Sequence, residues 1–258
     1  MKTMKNITMV MVACLINVTI FAQEEPASVE KLVIHIDQVK PSMTSEYKTI
    51  AKELRDLLSQ NAIADFSYSA LTNDRNEFIM VSPVESMAEL DKNPFGSLVA
   101  KIGEDKFQSL MDKMDATYNS HKTFIMNYHV DKSYLPDIPE DELYREWFFM
   151  NVDPADSKKL MAINNEWNAL YVKHDLKFGY RFFSGGFGSD ESTFVVMSWG
   201  KDASDFNAKM MERNELFGDE GSALWQKTLD IINNMDRTTG YSLPELSYIP
   251  PAGLVSED

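Results

Sequence analysis

The side chains of this 258-residue chain that could do chemistry include four histidines and a few polar groups set among aromatic ones. His35 and His129 each stand between apolar neighbours in extended-looking segments, Ile34-His35-Ile36 and Tyr128-His129-Val130, so each imidazole points away from the face those neighbours cover. A neutral imidazole offers a lone pair near physiological pH, which makes both candidate general bases and His35 a conceivable metal ligand. Spacing fixes no second ligand or orienting carboxylate beside either one, so no metal is assigned, and a hydrogen-bonded structural role stays open for both. His121 and His174 fall near the ends of apolar helical stripes, where an imidazole can pack and meet the last carbonyls.

A second set comprises Asn151, Tyr180, Arg181 and Trp199, on strand-like runs with Trp147, Phe149 and Met197 nearby. Aromatic and methionine-rich walls carrying a few polar groups suit a small planar or apolar ligand. They suit an ordinary core between sheets equally well. Both faces of these runs are apolar, and a one-residue slip exchanges them, so alternation alone does not decide which set points inward.

Strong catalytic motifs are absent: no H-E-x-x-H, Walker loop, G-x-S-x-G elbow or calcium-loop spacing occurs. Ser184-Gly185-Gly186-Phe187-Gly188 has the glycines of a phosphate cradle but joins two strand-like runs and opens no helix, so it reads as a hairpin loop.

The elements that must position these residues occur twice, from about Lys31 to Pro136 and again from Tyr144 to Pro250. Leu32 to Asp37 precedes a stripe of Tyr47, Ile50, Leu54 and Leu57, and Trp147 to Val152 precedes Leu160, Ile163, Trp167, Leu170 and His174. Asp153-Pro154-Ala155-Asp156 reads as a helix start with Asp153 as the N-cap. Hairpins follow, Phe66 to Leu71 with Glu77 to Val81, and Lys177 to Phe183 with Thr193 to Trp199. A second helical stripe comes next in each copy, Phe107, Met111, Met114, Tyr118 and His121 in one and Trp225, Leu229 and Ile232 in the other. Tyr134-Leu135-Pro136 and Tyr248-Ile249-Pro250 close the copies. The order is that of the split βαβ ferredoxin-like unit, which leaves one sheet face in need of a partner.

With this order, and with Ser86-Met87-Ala88-Glu89-Leu90 and Ala203-Ser204-Asp205-Phe206 after the third strands, the chain resembles the dimeric α+β barrel superfamily of antibiotic-biosynthesis-monooxygenase-like domains. The resemblance implies an α+β fold: two tandem ferredoxin-like units whose antiparallel sheets form an intramolecular α+β barrel. If Leu32, Ile34 and Ile36 cover the helices, Val33, His35 and Asp37 face the barrel interior. Haem-degrading members of that family use a first-strand Asn, a Trp ending the third strand and a last-helix His. Asn151 and Trp199 match the first two, but Leu224-Trp225-Gln226-Lys227 holds no histidine, and the first copy has Val33 to Asp37 and Pro83 at the Asn and Trp positions. Haem turnover is therefore not expected, haem contact stays open, and no cofactor is assigned.

The expected boundaries are a signal peptide over 1–22, repeats over 23–136 and 144–250, a Pro- and acid-rich linker over 137–143 and a flexible tail over 251–258. Lys2 and Lys5 precede an apolar run from Ile7 to Phe21, too short and too interrupted for a comfortable membrane span, which predicts a secreted or periplasmic protein with no integral span after cleavage. Cleavage after Ala22 would remove Cys14, the only cysteine, and move the formal charge from −15 to −17. Such acidity disfavours nucleic acid and anionic lipid. The expected function is an exported, non-enzymatic protein that binds a small apolar or aromatic ligand or an envelope protein partner. The alternative is a cofactor-independent monooxygenase or isomerase acting on a small aromatic or lactone-like substrate, with His35 or His129 as base and Arg181 or Tyr180 stabilising the anion.

Overall fold

The predicted order of strand, helix, strand, strand, helix, strand occurs twice. The computed structural model describes residues 29–251 except Ile138 and Glu191; the predicted leader and residues 252–258 of the predicted tail lie outside the described residues. In the first repeat β1 (Val29–Val39) leads into α1 (Thr44–Gln60), then the hairpin β2 (Ser69–Asn73) and β3 (Glu77–Val84), α2 (Gly96–Ile102), α3 (Glu104–Asp115) and β4 (Tyr118–Tyr134). The second runs β5 (Tyr144–Val152), α4 (Ser157–Lys173), β6 (Tyr180–Gly185), β7 (Thr193–Gly200), α5 (Ala203–Leu229) and β8 (Ile232–Ser242).

All pairing is antiparallel, and the order β1-β3-β2-β8-β5-β7-β6-β4 closes because β1 also pairs with β4. Each repeat supplies four adjacent strands of ferredoxin-like order, and the seams β2 with β8 and β4 with β6 join them into one barrel. Closure leaves no free edge to template aggregation.

Register decides which side chains face inward, because directly opposed residues share a face. Asp37 lies opposite Phe78 and His121, and its carboxylate accepts a 2.8 Å hydrogen bond from the Tyr47 hydroxyl of α1. The odd-numbered residues of β1 therefore lie on the outer, helix-covered face, and Leu32, Ile34 and Ile36 line the interior. This reverses the expected alternation: His35 is outside the barrel.

The helices bury the outer faces. In the first repeat Tyr47, Ile50, Leu54 and Leu58 of α1 and Phe107 and Leu110 of α3 pack with Phe78; in the second, Leu160, Ile163 and Leu170 of α4 and Phe217 and Leu224 of α5 pack with Phe182 and Phe194. The two closing tripeptides explain each other. After β8, Tyr248 exchanges backbone hydrogen bonds of 2.8 and 2.9 Å with Tyr68 and enters the first repeat's core with Leu243 and Leu246. Reciprocally, Tyr134 at the end of β4 pairs with Tyr180 of the second repeat, and its hydroxyl donates to the Leu176 carbonyl at 3.0 Å. Each repeat thus hands its last residues to the other.

Several local expectations change. Tyr118 and His121 belong to β4, since α3 ends at Asp115, where Thr117 turns the chain by donating to the Met114 carbonyl. His174 caps the C-terminus of α4 as expected. Asp153 makes no cap hydrogen bond; it accepts from the Asn233 amide, and a 3-10 turn over Pro154–Asp156 opens α4. The buried stripe of α5 runs through Phe217, Gly221, Leu224 and Thr228, one residue off the predicted one, which leaves Trp225 38% exposed.

Candidate ligand pocket

A cavity of about 330 Å³ opens between the outer face of the second repeat's sheet and its two helices. Phe148, Met150, Phe182 and Val196 form the sheet wall, alternate residues of β5, β6 and β7 that alternation places on one face. Leu160, Trp167 and Tyr171 of α4 and Met210 and Trp225 of α5 form the opposite wall. In the first repeat the helix-facing side is closed by a continuous core in which α2 adds Leu98, fully buried, next to Phe95 and Phe107. In the second, one long α5, broken only where Gly218 takes a φ of 50°, spans the same stretch of sequence.

Polar residues also stand on the lining, Tyr180, Asn164, Thr228, Arg213 and the Glu146–Arg237 pair among them. Tyr180 on β6 is 2% exposed, and its hydroxyl has no hydrogen-bond partner among the described residues. The amides of Asn164 and Asn168 lie beside it and act to lower its pKa, but neither reaches it in hydrogen-bond geometry; each donates to a carbonyl, of Lys132 and Ser133, at 2.7 and 2.8 Å. Burial, and then the neighbouring Tyr171, push the Tyr180 hydroxyl well above its ordinary pKa, so it remains a proton donor. Arg213 on α5 donates to the Tyr171 hydroxyl at 3.4 Å and to Asn214, and forms no ion pair among the described residues. Glu146, the one carboxylate on the lining, is held by the more exposed Arg237. The arrangement offers apolar walls for a flat molecule, with a neutral donor in Tyr180 and, in Arg213, a cation without an ion-pair partner among the described residues.

Of the residues singled out from sequence, Tyr180 lines this cavity and the others stand elsewhere. Arg181 and Trp199 point into the barrel, where Trp199 is 2% exposed, Arg181 lies over the Tyr128 ring and its Nε is buried without a partner. Arg145 shares that interior: its guanidinium donates to the Glu142 and Tyr144 carbonyls, and burial followed by the charge of Arg181 brings its pKa down to about 10. Asn151 sits at the opposite end of β5, donating to Thr193 Oγ1 at 2.6 Å. His129 is on the outer face of β4, 9% exposed, with Nε2 2.8 Å from Ser184 Oγ and its ring against Phe182. Burial pulls its pKa below the ordinary value, more than Asp131 raises it. It stands beside Phe182 and does not line the cavity. His35 lies on β1 of the first repeat, on the same outer face as His129 of the paired β4, and does not line the cavity.

Asn164, Tyr171 and Arg213 were not anticipated. Asn164 and Tyr171 flank Trp167 at i−3 and i+4 on α4, and a polar Asn inside an apolar helical stripe was the one available signal. The donor set that the resemblance to haem-degrading proteins would require is not assembled here: among the described residues no histidine or cysteine lines the cavity, and Tyr180 is held protonated.

No family model and no curated protein matches the chain. Solved structures do match in fold. A candidate monooxygenase from Lactobacillus acidophilus superposes with a TM-score of 0.55 at 8% identity, covering 86% of this chain and 97% of its own. An anthrone oxidase-like protein also gives 0.55, at 12% identity, covering 83% of this chain and 91% of its own. A chlorite dismutase variant from Candidatus Nitrospira defluvii gives 0.52 at 10% identity, covering 85% and 93%. The likeness is one of fold: a closed antiparallel α+β barrel, here with both ferredoxin-like units in one chain.

Proposed function

We propose that the chain binds a small aromatic molecule carrying an anionic oxygen, a phenolate or carboxylate, in the cavity between α4, α5 and the second repeat's sheet. The observation that carries this reading is the Tyr180 hydroxyl, buried without a partner of full hydrogen-bond geometry among the described residues, on a lining whose sheet wall is Phe148, Met150, Phe182 and Val196. A buried polar group without a partner costs roughly 1–3 kcal/mol, and a ligand oxygen that accepts from it would relieve that cost. Arg213 supplies the charge, and Trp167 and Trp225 supply flat faces. A titration with hydroxynaphthoic acids, followed by calorimetry, tests it. Tyr180→Phe should weaken binding about 10-fold or more, the loss of a hydrogen bond to a charged group. Equal affinity in wild type and Tyr180→Phe would remove the pocket from consideration.

A second reading is cofactor-independent oxygenation of such a ligand. Two of the superposing structures are described as a monooxygenase and an anthrone oxidase-like protein, and a neutral donor beside an arginine is what an enolate or phenolate requires. Oxygen uptake with anthrone as substrate separates the readings: turnover lost in Arg213→Met supports catalysis, and binding without uptake leaves a carrier. Export is part of the proposal, supported by Lys2, Lys5 and the apolar run to Phe21. Fractionation of the producing cell tests it. No helix among the described residues is long and apolar enough to cross a membrane.

A further inference from the structure

We infer that His35, Asp37 and His121 form a binding site for a divalent transition metal ion on the outer face of the first repeat's sheet, separate from the ligand pocket. The pairing register makes the cluster: His121 on β4 lies directly opposite Asp37 on β1, and His35 is two residues along β1 on the same face. One donor atom from each lies within 4.8 Å of the others. All three come from paired strands, so the backbone that carries them is rigid.

The spacing suits a metal. Bonds of about 2.0–2.2 Å to imidazole nitrogen and carboxylate oxygen put neighbouring ligand atoms of a tetrahedral site about 3.4 Å apart. His35 Nε2 and Asp37 Oδ1 are 3.1 Å apart. The exposed His121 ring, in edge contact with His35 at 5.4 Å between centroids, needs a shift on the order of 1 Å to complete the third corner.

Each donor also has an outer partner of the kind that orients metal ligands. His35 Nδ1 is 2.7 Å from Thr123 Oγ1, which can accept from Nδ1–H and leave Nε2 its lone pair. Asp37 Oδ2 accepts from the Tyr47 hydroxyl, leaving Oδ1 free to ligate. The Tyr118 hydroxyl donates to Asp115, so its oxygen faces His121 Nδ1 as an acceptor at 3.4 Å and leaves Nε2 of that ring available. Asp37 is 4% exposed and has no lysine or arginine partner among the described residues, so a cation would neutralise a carboxylate that the fold otherwise leaves to a histidine and a phenol. Two imidazoles and one carboxylate with an open side select zinc or a similar first-row ion over calcium or magnesium.

The test is equilibrium dialysis of the untagged chain against Zn²⁺, with Co²⁺ absorption as a second readout of a low-coordinate site. One equivalent should bind per chain. His121→Ala, an exposed change that leaves the fold intact, should weaken zinc at least 100-fold and bleach the cobalt bands. Tyr47→Phe should weaken it about 10–100-fold with the same three ligands in place. His174→Ala, on the other repeat, should change nothing. Absence of stoichiometric binding at micromolar zinc, or binding that survives His121→Ala, would overturn the assignment and leave His35 and Asp37 as a simple hydrogen-bonded pair.

Discussion

Lys209 Nζ lies 2.5 Å from Glu142 Oε1 and 3.0 Å from Asp205 Oδ2, tying the segment that joins the two repeats to the first turns of α5. Glu142 is 6% exposed, and its partner is the only lysine within ion-pairing distance of it among the described residues. Removing the lysine leaves the buried Glu142 charge uncompensated, whereas Lys209 without Glu142 still has Asp205. Lys209→Met should lower the unfolding free energy by about 3–5 kcal/mol in urea titrations, and adding Glu142→Leu to it should recover part of that loss.

The seam between β2 and β8 is closed by a glycine. A β-carbon on Gly240 would lie 1.9 Å from the Thr72 carbonyl oxygen, a contact the paired strand cannot yield to cheaply. Gly240→Ala should destabilise by about 1–3 kcal/mol and lower the thermal midpoint. Gly96→Ala, whose β-carbon would meet nothing closer than 3.9 Å, should be neutral to slightly stabilising, which calorimetry of the pair would show.

Alkaline conditions should weaken the fold through its buried phenols. Burial raises Tyr47, Tyr68 and Tyr180 above their ordinary values, with Asp37 adding to the effect at Tyr47. The folded pKa exceeds the unfolded one, so stability is complete below about pH 10 and falls as the unfolded chain ionises above it. Each phenol should remove about 1 kcal/mol between pH 10 and 11. Arg145, shifted the opposite way, offsets part of the total over that range. Denaturation midpoints at pH 9 and 11 check this, and Tyr68→Phe should reduce the slope.

Intrinsic fluorescence should report the pocket selectively. Trp167 and Trp225 line it, whereas Trp199 is buried in the barrel. Ligand-induced quenching should persist in Trp199→Phe and diminish in Trp225→Phe. The reverse pattern would place the ligand inside the barrel.

The barrel was legible because periodicity and duplication are properties of many residues at once. The stripe Tyr47, Ile50, Leu54 and Leu57 survives intact as the buried face of α1. The site was less legible because a single register step decides it. Alternation separates the two faces of β1 but does not say which one the helices cover, and both faces of β6 carry aromatic residues; the Tyr47 to Asp37 bond settles the first and the packing of Phe182 against α4 and α5 the second. His121 was misplaced for a related reason: Tyr118 and His121 continue the helical spacing of Phe107 and Met114, but Thr117 ends the helix first. Tyr180 was singled out for its aromatic surroundings, while Arg213 lies in a charged helical stretch that looks like ordinary solvated surface.

Because both ferredoxin-like units belong to one chain, the molecule is released from symmetry. In a barrel made from two identical chains, any change to one helix-covered face is copied onto the other. Here one face carries a closed core with the His35, Asp37 and His121 cluster, and the other opens into a cavity lined by Trp167 and Tyr180. The covalent join makes this division of labour heritable, since a substitution that opens one side leaves the opposite side's packing to hold the barrel together.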